Sequence, residues 1–149
     1  MALVTVRLDK GLRAVATARH HTWVADEPVQ DGGTDEGPKP TEMLLASLGA
    51  CVAMTARLYA QRKGWPLEAV EVVLDYKKFN GIDYPAYTGS APFVHEFRER
   101  LVLHGPLTDE QRARIAEIAR KCPVRRILEN PVFFVEAHPV SDSALSDRS

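Results

Sequence analysis

The sequence PTEMLLASLGACVAMTARLYAQRKG, residues 40–64, decides the fold of this chain. Its first half is apolar on nearly every side, which is typical of a helix buried at the centre of a domain, and its second half is charged on one side. Thr41 can cap such a helix, and Gly64 ends it. We therefore predict a central helix over residues 41–63 that carries Cys51.

Six further segments have the composition of β-strands: residues 2–8, 12–18, 21–26, 70–79, 93–103 and 132–136. The first two flank Asp9-Lys10-Gly11, whose turn chemistry predicts a β-hairpin. The segment 27–40 holds three glycines and three prolines, and a loop of that length in a compact domain is usually functional or mobile. Strands are therefore expected on both sides of the long helix in the sequence.

A second helix is predicted by the capping box Thr108-Asp109-Glu110-Gln111, in which a hydroxyl and a glutamine side chain cap the first turn. The residues after it form an apolar stripe at helical spacing: Ile115, Ile118, Ala119 and Cys122. Pro123 cannot continue that helix but suits the first position of another, predicted over residues 124–128. Cys122 is therefore expected on a core-facing stripe and at the N-cap of the next helix.

The composition fits one compact domain. The chain has 149 residues, of which 45% are hydrophobic and 26% charged, with a net charge of −1. We predict a single domain over residues 1–138 and a polar, flexible tail over 139–149. The lack of a basic excess argues against nucleic-acid binding, and the apolar run 43–56 is short for a membrane span. The first residues lack a secretory core, so we expect a cytoplasmic location, where thiols stay reduced.

The two cysteines admit two interpretations each. Cys51 alone is more typical of a small buried hydrophobe, because a mid-helix position denies it the helix-terminus effect that lowers a thiol pKa. At the N-cap of a helix, Cys122 would face free N–H groups that favour a thiolate, or it would simply complete an apolar stripe. If folding brings the two thiols together, one can attack an oxidant and the other can resolve the product as a disulfide.

Other chemistries find little support in the sequence. The five histidines are scattered and none has metal-ligand spacing with a cysteine, so no metal site is predicted. There is no G-x-S-x-G elbow of a hydrolase and no glycine-rich phosphate motif. Among the loop aromatics, Tyr84 and Tyr87 are the candidates for lining a substrate pocket, although most aromatics simply pack.

Two blocks of the chain resemble the OsmC/Ohr superfamily, the osmotically inducible protein C and organic hydroperoxide resistance proteins. They are DEPVQDGGTDEGPKPTEMLLASLGACVAMTARLYAQRKGW, residues 26–65, and IAEIARKCPVRRIL, residues 115–128. The resemblance, closest to the broader OsmC-like branch, covers nearly the whole chain. It implies an α+β fold in which two subunits interlock as a homodimer, with strands wrapped around two central cysteine-bearing helices and active sites at the dimer interface.

The resemblance also implies a chemistry. Family peroxidases reduce organic hydroperoxides to alcohols with thiols, and by position Cys51 is the peroxidatic residue and Cys122 the resolving one. The first would become a sulfenic acid and the second would condense with it to a disulfide. An external dithiol, dihydrolipoyl in the best-known branch, would restore both thiols. No bound cofactor and no metal are expected.

The chain departs from the family pattern beside the first cysteine. Peroxidase members place a Glu directly after the helix-initiating proline and pair it with an Arg that holds the thiolate. Here Thr41 occupies that slot and Glu42 follows one residue later, which turns the side chain by roughly 100° around a helix. Glu42 and Arg19 are the candidate pair, with Arg7 and Arg13 as alternatives for the arginine, and Thr41 joins the two tyrosines as a substrate-binding candidate.

These observations favour a cytoplasmic, homodimeric cysteine peroxidase that acts on organic hydroperoxides. The departure at Thr41 favours an alternative, an OsmC-like redox-sensing or small-molecule-binding protein without peroxidase turnover. A thiol-inert structural protein is the third possibility.

Overall fold

The computed structural model describes residues 3–135, so the end of the predicted domain and the predicted tail lie outside the described residues. The elements follow in this order: β1 (Thr5–Arg7), β2 (Ala14–Ala18), β3 (His21–Ala25), α1 (Pro40–Lys63), β4 (Ala69–Asn80), β5 (Phe93–His104), α2 (Asp109–Ala119) and α3 (Pro123–Glu129). Two short 3-10 turns interrupt the loops: Val29–Asp31 and Gly81–Asp83.

The amino-terminal strands form a small antiparallel sheet in the order β1-β2-β3. Val6 pairs with Ala16, and Val15 pairs with Val24, so the predicted hairpin and third strand are confirmed. The strands pack mainly on each other, and only Ala16 among their residues is buried. Most of the surface of this sheet is therefore uncovered by the part of the chain that the structure describes.

The main body consists of the long β4–β5 hairpin, the helix α1, and the shorter helices α2 and α3 against that helix. Four α1 residues spaced four apart form the core with side chains from the rest of the body: Leu48, Val52, Ala56 and Ala60. Gly49 allows a close approach to β4, because a Cβ atom there would lie 3.2 Å from Leu74 Cδ1. The apolar face of α1 thus holds the sheet on one side and the short helices on another.

The opposite side of α1 is also apolar but is left uncovered by residues 3–135. Met54 is 65% exposed and Leu58 is 54% exposed on this side, and Leu44 in the first half of the helix is 42% exposed. The first half is therefore buried along one stripe, whereas its sequence predicted burial on nearly every side. By length and composition α1 would also pass as a membrane span, but a single such helix is a weak indication because core helices of soluble proteins meet the same criterion.

The helix starts follow from local chemistry. Lys39, not Thr41, is the N-cap of α1, because the Glu42 carboxylate accepts the Lys39 backbone N–H at 2.8 Å and Pro40 occupies the first helical position. The capping box of α2 forms as predicted, with Thr108 Oγ1 accepting the Gln111 N–H at 3.2 Å.

Two sequence predictions at the carboxyl end are wrong. The helix α2 ends at Ala119, so Cys122 lies beyond it; a tight turn intervenes, in which the Cys122 N–H bonds the Ala119 carbonyl at 3.2 Å. Residues 132–135, predicted as part of a strand, are irregular and exposed, because no strand edge within the described chain pairs with them; Glu136 lies outside the described residues.

Candidate functional site

The fold brings the two cysteines together. Cys51 lies in the middle of α1, Cys122 is the N-cap residue of α3, and both pack into the same core cluster. Cys122 is 0% exposed, whereas Cys51 is half-buried. Both are free thiols. The predicted N-cap position of Cys122 is confirmed, but only Cys51 lies within a helix.

Burial dominates the electrostatics of Cys122. Loss of solvent raises the pKa of this thiol, and the Arg125 backbone N–H, which bonds its Sγ at 3.4 Å, only partly offsets that effect. The neighbouring Cys51 thiol and the negative charge of Glu99 raise the Cys122 pKa further. The start of α3 therefore does not lower the pKa of Cys122, and burial favours its neutral thiol form.

A cavity of about 700 Å³ lies between α1, the β4–β5 hairpin and α3. Its wall is mainly aliphatic and aromatic: Leu44, Leu45, Leu48, Leu74, Val94, Phe97 and Leu128. Its polar lining comes from Thr41, Tyr76, His95, Glu99, Arg125 and Glu129. Neither sulfur belongs to the lining, but Arg125 belongs to it and also donates its N–H to Cys122. The size and wall suit an apolar small molecule.

Glu99 is a charged residue in an apolar row. It pairs with Leu74 across the hairpin, and its neighbours on the same face of β5 are Phe97 and Leu101. The Glu99 side chain is only 12% exposed, and the Arg125 guanidinium lies 3.5 Å from it. A carboxylate in such a place needs a cationic partner. The sequence analysis missed this pair, although the interrupted apolar alternation of β5 is a readable signal for Glu99.

Arg125 has a second acidic partner. Its Nε donates to Glu129 Oε1 at 2.7 Å, and the Glu129 side chain is 57% exposed. The hydrogen bond to Glu129, and after it the charge of Glu99, raises the pKa of Arg125 above its ordinary value although burial opposes this. The guanidinium is thus fixed between two carboxylates at one end of the cavity.

The structure places the other predicted site residues away from this cavity, Thr41 excepted. Glu42 caps α1, and Arg19 occupies the exposed turn between β2 and β3 with a positive φ of 56°. Tyr84 donates its hydroxyl to Glu96 at 2.7 Å, and the Tyr87 hydroxyl accepts the Ala91 N–H at 2.9 Å, both near the tip of the β4–β5 hairpin. A single chain therefore brings Cys51 and Cys122 into one core cluster and places Thr41 in the cavity lining, and the roles of all the predicted site residues stay predictions.

The loop before α1 is built around a buried carboxylate. Asp26 is 1% exposed and accepts hydrogen bonds from the Thr34 hydroxyl at 2.6 Å and from the backbone N–H groups of Glu27, Thr34 and Glu36. The Thr34 hydroxyl above all, with the three N–H groups, lowers the pKa of Asp26 to about 2 against the opposing effect of burial. Gly33 must be a glycine, because a Cβ atom there would lie 1.8 Å from the Glu27 carbonyl oxygen. The loop is thus tightly held where it leads into α1.

The comparisons with known proteins agree with this architecture. A family model described as OsmC-like protein matches residues 33–136, which include both cysteines. The chain belongs to the OsmC-like protein family. The resemblance seen in the sequence is therefore confirmed. The comparison with curated proteins gives no match.

Solved structures of this family share the fold. A putative osmotic stress induced and detoxification response protein from Psychrobacter arcticus is 20% identical, with a TM-score of 0.67, covering 85% of this chain and 87% of that one. An organic hydroperoxide resistance protein OsmC from Legionella pneumophila is 16% identical, with a TM-score of 0.61 and the same coverage. A putative organic hydroperoxide resistance protein from Vibrio cholerae, with captopril in one of its active sites, is 16% identical, with a TM-score of 0.57, covering 83% and 82%. At these identities the likeness establishes the mixed α+β fold.

Proposed function

We propose that this OsmC-like protein is a cysteine peroxidase that reduces organic hydroperoxides to alcohols in the cytoplasm. The observation that carries the proposal is that Cys51 and Cys122, far apart in sequence, share one core cluster and interact through their thiols, while Arg125 joins Cys122 to a mainly apolar cavity. Two adjoining thiols can pass between dithiol and disulfide, and the cavity can hold the organic part of a hydroperoxide.

The exposures of the two thiols support their order of reaction. Half-buried Cys51 meets the peroxide: its thiolate attacks the outer oxygen, the O–O bond breaks, and the alcohol leaves after taking up a proton, so that Cys51 becomes a sulfenic acid. Buried, neutral Cys122 then condenses with that acid, forming the disulfide and releasing water. An external dithiol such as dihydrolipoyl reduces the disulfide and returns both thiols.

The active assembly is proposed to be a homodimer. The uncovered side of α1 at Met54 and Leu58, the exposed amino-terminal sheet, and the exposed apolar residues 132–135 are surfaces that a second copy would cover. Arg19 lies on that sheet, so its proposed role with the Cys51 thiolate requires the partner subunit to bring it to the site.

Peroxide consumption tests the proposal. Wild-type protein with cumene hydroperoxide and dihydrolipoamide should consume peroxide over many turnovers. Cys51→Ser should abolish consumption, and Cys122→Ser should leave one turnover per subunit, because the sulfenic acid then has no resolving thiol. Failure of the wild-type protein to consume peroxide with any dithiol would overturn the peroxidase function.

One observation favours a second function, redox sensing or small-molecule binding without turnover. Thr41 stands where family peroxidases have a Glu, and the carboxylate of Glu42 is engaged with the Lys39 N–H at the start of α1. A sensor would oxidise its thiols stoichiometrically and slowly. Sustained turnover with excess dithiol would exclude this second function.

A further inference from the structure

The charges around the cavity carry an inference about its ligand. Glu99 and Glu129 contribute two negative charges to the lining, and Arg125 contributes one positive charge. Arg125 is the single lysine or arginine among the described lining residues. Its Nε donates to Glu129 and its Nη1 to Glu99, so each of the two edges with which a guanidinium can grip a carboxylate already has one donor engaged. This end of the cavity is therefore net negative.

The other polar residues of the lining include no compensating lysine or arginine. Tyr76 and His95 are hydrogen bonded to each other, with 2.8 Å between the hydroxyl and Nδ1. Lys78 comes next to them on the hairpin, but its ammonium lies over the Phe93 ring, 4.2 Å from the centroid, and it does not line the cavity. Apart from Thr41, the rest of the wall is aliphatic or aromatic, so a carboxylate entering this space would lose water and gain no unpaired lysine or arginine of this subunit. An arginine that a partner subunit brings to the Cys51 thiolate, as proposed above, would have its charge balanced by that thiolate.

We propose that this cavity binds uncharged, mainly aliphatic molecules and rejects carboxylates. If the peroxidase function proposed above holds, its substrates are neutral alkyl or ester hydroperoxides rather than free fatty-acid hydroperoxides. The electrostatic reason is that a carboxylate close to the two glutamates is repelled by more charge than the engaged guanidinium can offset. A ligand of the same length with a positively charged head group is not repelled by these glutamates.

Binding of non-peroxide ligands tests the cavity independently of turnover. Calorimetric titrations of the full-length protein with octanol, octylamine and octanoate at pH 8, where histidines are ordinarily uncharged, should give affinities for octanol and octylamine at least about tenfold higher than for octanoate. Equal or tighter binding of octanoate to the wild-type protein would overturn the proposal. Absence of turnover alongside this order of affinities would count only against the peroxidase function.

Charge variants sharpen the test. Glu129→Gln should reduce the difference in affinity between octanol and octanoate. The double variant Glu99→Gln with Glu129→Gln should bind octanoate more tightly than octanol, because Arg125 is then free to bind the carboxylate. Glu71→Gln is the matched control: it removes the same charge from an exposed position of β4 outside the cavity and should leave the order unchanged. Circular dichroism verifies that each variant is folded. A folded double variant that still prefers octanol would refute the assignment of the charges.

If turnover is found, a second comparison uses linoleic acid hydroperoxide and its methyl ester, which differ only in the charge of the head group. We expect a kcat/KM at least about tenfold higher for the ester. A higher kcat/KM for the acid would overturn the substrate class while leaving the peroxidase function standing.

Discussion

The ion pair between Glu99 and Arg125 should stabilise the fold more than its nitrogen–oxygen distance of 3.5 Å suggests. Two unit charges 3.5 Å apart attract by about 5 kcal/mol at an effective dielectric constant of about 20, before solvation is counted. Desolvation removes much of this attraction, since the side chains of Glu99 and Arg125 are 12% and 31% exposed. We expect a coupling energy of about 1.5–2.5 kcal/mol, above the range of about 0–1 kcal/mol for exposed pairs.

The contact between Arg125 and Glu129 is the internal control. It is shorter, at 2.7 Å, but Glu129 is 57% exposed and lies one helical turn away, an arrangement that contributes about 0.3–0.5 kcal/mol. The longer contact should therefore have the larger coupling energy, because water screens the shorter one. Burial, rather than distance, decides the order.

Two double-mutant cycles measure the two couplings. Urea unfolding at one fixed subunit concentration would compare the wild-type protein with Glu99→Gln, Arg125→Gln and their combination, and then with the corresponding Glu129→Gln set. Arg125→Gln should be the most destabilising single change, because it leaves Glu99 without a partner in an apolar row. A coupling for Glu99 below about 0.5 kcal/mol, or one smaller than that for Glu129, would refute the reasoning.

Two further predictions concern the loop before α1 and the start of α2. The pKa of Asp26 is lowered to about 2 in the folded chain, so its carboxylate contributes stability above about pH 4 that is lost as the pH falls through 2. In acid titrations followed by tryptophan fluorescence, Asp26→Asn should lose part of this pH dependence of stability, and an unchanged profile would contradict the prediction. Thr108→Ala should destabilise the protein by about 1 kcal/mol in urea because α2 loses its cap, whereas Thr108→Ser should cost little, and equal losses for the two would contradict the capping role.

The sequence predicted well those features of the fold that depend on neighbouring residues. The capping box at Thr108 and the proline at position 123 involve only neighbouring residues, so the starts of α2 and α3 were predicted correctly. The β4 and β5 strands were predicted within one residue of their ends because apolar residues recur along the covered face. The recognised blocks supplied the family, which no single pattern would have indicated.

The parts that failed depend on distant partners. The pKa of Cys122 is set by its burial, which is a tertiary property, and so the N-cap position alone suggested the opposite direction. Residues 132–135 have the composition of a strand but lack a pairing edge in the described chain. Likewise the apolar character of the first half of α1 predicted burial on nearly every side, whereas the described residues cover only one side of it. The role of Glu99 depends on which face of the hairpin meets α1, and periodicity does not specify that face.

The position of Cys122 also bears on how this protein can diverge. Its sulfur accepts the N–H at the start of α3, a task that serine, asparagine or aspartate performs at least as well. The redox task, by contrast, tolerates no replacement of the sulfur. A descendant protein that no longer needs the redox chemistry can therefore replace Cys122 with serine and keep α3. A single substitution would then remove the thiol chemistry and leave the fold intact.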